Sequence, residues 1–244
     1  MMAETLLTTT KLIRVEFDQI NSGILSAYNQ VRPIDKRDKI CHAPFKTLLF
    51  TPAGNAMACH YNRGLVLGQY PNNSIKEIWF GEKIKKLRNY LSNNNLSYGC
   101  QNCKNDLENK QFHFSGCWRH DYLGESDKGY PVLIDLQIDN TCNLECVMCS
   151  GEYSSLIRKN REKKLPYPNP YDSNFVKQLE EFIPHLEGIN LTGGEPFLIN
   201  IYYEILDRII AIKPEIQIYI HSNGTVLNKK IKKYLEKLNF NFTL

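Results

Sequence analysis

With 244 residues, 42% hydrophobic and 23% charged, the chain has the composition of a folded globular protein with room for one or two cores. A net charge of +4, its basic residues scattered except for Lys229-Lys230-Ile231-Lys232-Lys233, is too small to point to nucleic acid. No run approaches the roughly 18 apolar residues of a membrane span, and Met1 to Thr10 lacks the charged-then-apolar order of a secretory signal, so a cytoplasmic protein is expected.

Residues 1–40 read as an N-terminal extension ahead of the first cysteine, Cys41. Lys46 to Thr51 and Ala56 to His60 predict the two strands of a hairpin, joined by the turn residues Pro52-Ala-Gly-Asn55. Ser74 to Leu91 reads as one helix, with Ser74 as N-cap and Ile75, Ile78, Trp79, Ile84 and Leu87 on its apolar face. The polar, Gly-containing stretch 121–130 is the expected linker. Beyond it, strands and helices alternate. Val132 to Ile138 predicts a strand, Ser173 to Ile183 a helix closed by Pro184, and Gly188 to Thr192 a strand. Ile201 to Ile212 predicts a helix stopped before Pro214, and Ile216 to Ile220 a strand. Leu227, Ile231, Tyr234, Leu235 and Leu238 mark a last helix, and Phe240 to Leu244 a last strand. This β-α-β-α order calls for a parallel sheet with helices outside it, whose chemistry sits beyond the C-terminal strand ends.

Eight cysteines without an export signal argue for metal or redox chemistry over disulfides. Cys142, Cys146 and Cys149 are spaced C-x3-C-x2-C. Three thiolates with no fourth beside them can hold three irons of a four-iron cluster and leave the fourth open. Structural zinc prefers paired C-x2-C and four protein ligands, which this spacing fits poorly. Leu191-Thr-Gly-Gly-Glu-Pro196 follows a strand. Its glycines would let a ligand approach the backbone, and Glu195 would offer an anion to a cationic ligand. Ser222-Asn223-Gly224 ends the next strand, beside His221. Asp135 and Gln137 alternate with apolar residues, but one strand cannot fix which face is inward. No residue is singled out as the catalytic acid or base.

Cys142-x3-Cys146-x2-Cys149 followed by Gly193-Gly194-Glu195-Pro196 resembles the radical S-adenosylmethionine (SAM) superfamily over residues 131–244. The resemblance implies a partial (β/α) barrel and a [4Fe-4S] cluster on the three cysteines. SAM would be chelated at the open iron and cleaved reductively to methionine and a 5'-deoxyadenosyl radical. It also implies SAM contacts from Gly193, Gly194, Glu195, Pro196, Ser222 and Asn223, and from Met148, where the family often has an aromatic residue. An electron donor such as a flavodoxin or ferredoxin is implied as partner. The expected barrel is truncated, because the strand–helix units end at Leu244 before the family's usual number.

The first half, 41–120, resembles the twitch and SPASM domains of the same superfamily. Cys41, Gly54 five residues before Cys59, the Ile78-Trp79 helix, and Cys100-x2-Cys103 carry that resemblance. It implies a small α+β domain in which Cys41, Cys59, Cys100 and Cys103 hold a closed auxiliary [4Fe-4S] cluster, placed ahead of the radical SAM part instead of after it. The ligands alone suit structural zinc equally. Cys117 is expected in the core or linker, with a spare ligand or substrate-facing thiol as alternatives, and His42 and His60 beside the ligands without binding metal. A peptide or a sugar-like small molecule is the first guess for substrate. A zinc-binding adaptor and an iron–sulfur electron carrier are the competing classes.

Overall fold

The computed structural model describes residues 19–126 and 128–243. The first part of the 1–40 extension, Asp127 of the linker and Leu244 of the last strand lie outside the described residues.

The first half contains α1 (Ser22–Gln30), α2 (Ala43–Lys46), β1 (Thr47–Phe50), β2 (Asn55–Met57), β3 (Gly68–Gln69), α3 (Ile75–Phe80), α4 (Glu82–Ser92), α5 (Gln101–Glu108) and α6 (Gly116–Arg119). The second half contains β4 (Leu133–Leu136), α7 (Ser155–Asn160), α8 (Ser173–Leu179), β5 (Gly188–Leu191), α9 (Asn200–Ile212), β6 (Gln217–His221), α10 (Lys229–Leu235) and β7 (Asn239–Thr243). The helix expected over 74–91 is two. Ser74 starts α3 through a capping box with Glu77, and Gly81 then turns extended at ψ 171°. A Cβ at Gly81 would lie 2.4 Å from the Glu77 carbonyl oxygen, so glycine allows the break. The helix expected over 173–183 stops at Leu179, and Pro184 falls in a separate turn of 3-10 helix.

Among the described residues the strands form one sheet in the order β3-β2-β1-β4-β5-β6-β7. β4 to β7 are parallel, as the β-α-β order requires. The hairpin does not stand apart. β1 pairs with β4 in parallel, Thr47 opposite Leu133 through Phe50 opposite Leu136. The expected boundary at 121–130 therefore does not separate two cores. One apolar core runs through both halves. Trp79 Nε1 donates to the Gly129 carbonyl at 2.7 Å, and the Ile75 N–H to Gln178 Oε1 at 2.9 Å. Phe50 and Tyr70 from the first half pack on Tyr171 and Phe175 from the second.

Register assigns the two faces. Leu48, Phe50, Ile134, Leu136, Ile189, Leu191, Ile218 and Ile220 share the outer face and are fully buried beneath the helices. Asp135 and Gln137 thus belong to the inner face, with Asn190, Tyr219 and His221.

The chain entering this core is pinned by a charge pair. Arg32 Nε and Nη2 donate to Asp121 Oδ2 and Oδ1 at 2.6 and 2.8 Å, and both side chains are fully buried. Removing one partner leaves an uncompensated buried charge, which costs about 3–5 kcal/mol. Asp121→Ala is therefore expected to lower the unfolding free energy obtained from urea titration by that amount. A change within about 0.5 kcal/mol, the size of a surface substitution, would contradict it.

Candidate metal centres

Three strand ends build one rim. After β4 the chain forms a loop carrying Cys142, Cys146 and Cys149. Asn140, which is buried, closes its base by donating from Nδ2 to the Gly151 carbonyl at 2.9 Å. Ser154 caps α7 and also donates to the Leu144 carbonyl at 2.8 Å. The Cys149 N–H donates to the Cys146 carbonyl at 3.1 Å, and Arg161 reaches the Glu145 and Cys146 carbonyls. Cys142 and Cys149 are half-buried and Cys146 is exposed. Burial raises the Cys149 thiol pKa, and Cys142 and Cys146 raise it further against the pull of Arg161. Thiols this close repel one another once ionised, and a cationic centre relieves that repulsion. Met148 is 91% exposed beside the similarly exposed Val147, at the tip of the loop.

The segment after β5 fits against this loop for a reason different from the expected one. Gly193 has φ 111°, and a Cβ there would lie 2.2 Å from the Asp139 carbonyl oxygen. A Cβ on Gly194 would lie 2.0 Å from the Thr141 carbonyl oxygen. The Gly194 and Glu195 N–H groups donate to those same two carbonyls at 3.0 and 2.8 Å. The glycines thus serve the approach of two loops to each other, where the sequence suggested the approach of a ligand. Pro196, buried, opens a turn of 3-10 helix behind them.

Glu195 is likewise not an open anion. Its side chain is buried, and the carboxylate accepts from Ser222 Oγ at 2.9 and 3.1 Å, the Asn223 N–H at 2.7 Å and the Phe197 N–H at 3.1 Å. It ties the β5 end to the β6 end. Asn223 Nδ2 then lies 3.9 Å from Cys142 Sγ and donates to Asn143 Oδ1 at 2.9 Å. The three sequence motifs become one connected structure.

The other cysteines lie at the opposite ends of the strands. Cys41 precedes α2 and β1, and Cys59 follows β2, which runs antiparallel to β1. Thr47 Oγ1 holds both approaches, meeting the Ala43 and Ala58 carbonyls at 3.0 and 2.6 Å. Cys100 and Cys103 sit at the start of α5, and Asn62 Nδ2 donates to Cys100 Sγ at 3.2 Å. All four line one cavity and are at most 8% exposed. Cys117, expected in the core or linker or as a spare ligand, is buried and lines the cavity as a fifth thiol. Burial raises the Cys59 and Cys100 thiols, and their cysteine neighbours raise them further. A buried, mutually repelling set of thiols fits a centre that takes them as thiolates. Among the described residues, no three His, Cys, Asp or Glu side chains converge to hold a single ion; the thiols stand around a cavity.

A strap over the inner face, residues 59–66, connects the two ends. His60 Nε2 contacts Asp135 Oδ2, and Asn190 Nδ2 donates to the same oxygen at 3.1 Å. Arg63 Nη2 donates to Gln137 Oε1 at 2.9 Å and Nη1 to Glu152 Oε1 at 2.7 Å, just past the triplet. His42, by contrast, is buried against the Lys36 carbonyl, with its pKa lowered by burial. His221 joins Asn190 and Tyr219 in lining a cavity on the inner face that shares no lining residue with the cysteines' cavity.

The radical SAM superfamily model matches residues 136–243, and the model of the SPASM iron–sulfur cluster-binding domain matches residues 41–104. No curated protein and no solved structure gives a significant match.

Gly194→Ala is expected to force the β5 end away from the triplet loop. The iron retained by anaerobically prepared protein is expected to fall below that of the parent. An unchanged iron content would show that the triplet loop tolerates the displacement.

Proposed function

Starting from a radical SAM superfamily protein with an N-terminal SPASM-type iron–sulfur domain, we propose that Cys142, Cys146 and Cys149 hold the [4Fe-4S] cluster at which SAM binds. When bound, cluster and SAM supply a 5'-deoxyadenosyl radical that takes a hydrogen atom from substrate. The chain's own residues hold and orient them. The observation that carries the reading is the Glu195 carboxylate, which joins the Gly193–Pro196 segment to Ser222 and Asn223 beside Cys142. With Glu195 and the Gly194 N–H committed to the protein, the carbonyls of Gly193 and Gly194 are what this segment offers to SAM. Met148 offers an exposed, polarizable surface for its adenine.

Cys41, Cys59, Cys100 and Cys103 are the proposed ligands of the auxiliary [4Fe-4S] cluster. Their burial favours an electron-accepting role over direct ligation of substrate, because a substrate needs a path to the iron. The substrate binds against the inner face of the sheet. Its polar lining, including Asp135, Gln137, Asn190 and His221, suits a hydrogen-bonding molecule such as a peptide or a sugar-like compound. A flavodoxin or ferredoxin supplies the electron, in the cytoplasm. No helix among the described residues is long and apolar enough to cross a membrane.

Anaerobic protein given dithionite and SAM is expected to release 5'-deoxyadenosine. Cys146→Ala should abolish release while retaining about four irons per chain. Zinc without iron in the purified protein would overturn the enzyme reading, and iron without release would favour an electron carrier.

A further inference from the structure

The parallel ladder between β4 and β5 breaks at one rung. The Thr192 N–H donates to the Leu136 carbonyl at 3.0 Å. Even spacing along a parallel pair puts the next bond between the Ile138 N–H and the Thr192 carbonyl. The Tyr202 hydroxyl takes that place instead. It accepts from the Ile138 N–H at 3.4 Å and shares its proton between the Thr192 and Leu136 carbonyls, each at 2.6 Å. Tyr202 comes from the first turn of α9 and is 2% exposed.

Beyond the hydroxyl, pairing resumes with an offset. A continued register would send the Gly194 N–H to the Ile138 carbonyl. It goes to Asp139, and the Glu195 N–H goes to Thr141. The β4 chain thus carries one extra residue at this point, as at a bulge, and Gly193 meets it at φ 111°. Parting two strands inside the core leaves a buried N–H and a buried C=O that each need a new partner. A hydroxyl is donor and acceptor at once, so Tyr202 serves both. Its bond to Thr192 also closes the chain between them into a loop, the one that carries Gly193 to Pro196.

We propose that Tyr202 is a positioning residue for the SAM site. By standing in for one rung of the ladder, its hydroxyl fixes the one-residue offset that seats the Gly193–Pro196 segment against the triplet loop, and so sets the affinity for SAM. Without the hydroxyl, the Ile138 N–H and the Thr192 carbonyl stay unpaired or close on one another. Both outcomes move Gly193 against Asp139, where a carbonyl oxygen already fills the space of a Cβ. The inference rests on the function proposed above and adds a residue that acts on SAM only through this segment.

The test uses the full chain, prepared anaerobically with its clusters. Tyr202→Phe is expected to keep the parent's iron and to weaken SAM binding in equilibrium dialysis by about tenfold or more. With no SAM present, it should also speed amide hydrogen exchange in peptides spanning 136–142 and 191–196. Tyr171→Phe is the control. Its hydroxyl likewise donates to a backbone carbonyl, that of Thr51 at 2.6 Å, and its loss should leave SAM binding at the parent value. Unchanged SAM affinity or unchanged exchange in Tyr202→Phe would overturn the inference. An equal loss of affinity in Tyr171→Phe would do so too, since general destabilisation would then account for it. Loss of iron in Tyr202→Phe would assign the effect to the cysteine loop, which also overturns it. A parent that holds iron but binds no SAM fails before any substitution is made, and that result overturns the proposed function itself.

Discussion

Four residue pairs between β1 and β4, from Thr47–Leu133 to Phe50–Leu136, fix the first-half cysteines relative to the triplet. Because the pairing is parallel, both strands point the same way. The triplet follows the C-terminal end of β4, while Cys41 leads into the N-terminal end of β1. Cys59 reaches that same end because β2 runs back along β1, with Met57 opposite Leu49. The two cysteine sets thus lie toward opposite ends of one hydrogen-bonded sheet, with its inner face between them. A flexible link between separate domains would fix neither their separation nor their orientation.

That inner face is kept polar by register. Packing the outer face with Leu48, Phe50, Ile134, Leu136, Ile189 and Leu191 commits Asp135, Gln137 and Asn190 to the inside. The strap after Cys59 supplies partners for them through His60 and Arg63, and Arg63 continues to Glu152 beyond the triplet. Asp135 Oδ1 and Asn190 Oδ1 have no partner among the described residues. A buried acceptor left without a donor costs about 1–3 kcal/mol, so this face favours whatever brings donors to it.

The strand ends and their motifs were legible because each is short and local. Apolar runs next to Cys142, Gly193 and Ser222 marked three strand ends, and the β-α-β order put them on one rim. What the motifs do to one another was not legible. The glycines' need depends on the distance to Asp139 and Thr141, and the Glu195 environment depends on Ser222, residues brought close only by folding. The β1–β4 pairing was hidden for a related reason. A four-residue strand reads the same whether it closes a small domain or extends a large sheet. Gly81 was the reverse case: its signal stood in the sequence, but a lone glycine within a helical pattern is often tolerated. Cys117 could be expected in the core from the sequence, but that it shares a cavity with Cys41, Cys59, Cys100 and Cys103 depends on contacts made only by folding.

The contrast in burial between the two cysteine sets follows from what encloses them. The triplet loop lies beyond the strand ends, held through backbone carbonyls and by Asn140, Ser154 and Arg161 at its edges, so its sulfurs stay open on one side. The other thiols are walled in by α2, α4, α5, the β2 end and the Gly116 turn, with Leu87 and Leu91 closing the cavity. A cluster with an open side can bind a ligand at iron. One surrounded by apolar side chains and N–H donors has its potential set by those neighbours instead. Asn62, which donates to Cys100 from the strap, and the 116–117 segment, which lines the same cavity, approach it from different parts of the chain. Both depend on the Cys59 loop, since Asn62 lies within it and Gly116 rests on Tyr61. The loop that spans the inner face toward the triplet therefore also borders the closed site, through Asn62 on Cys100 and Tyr61 beneath Gly116.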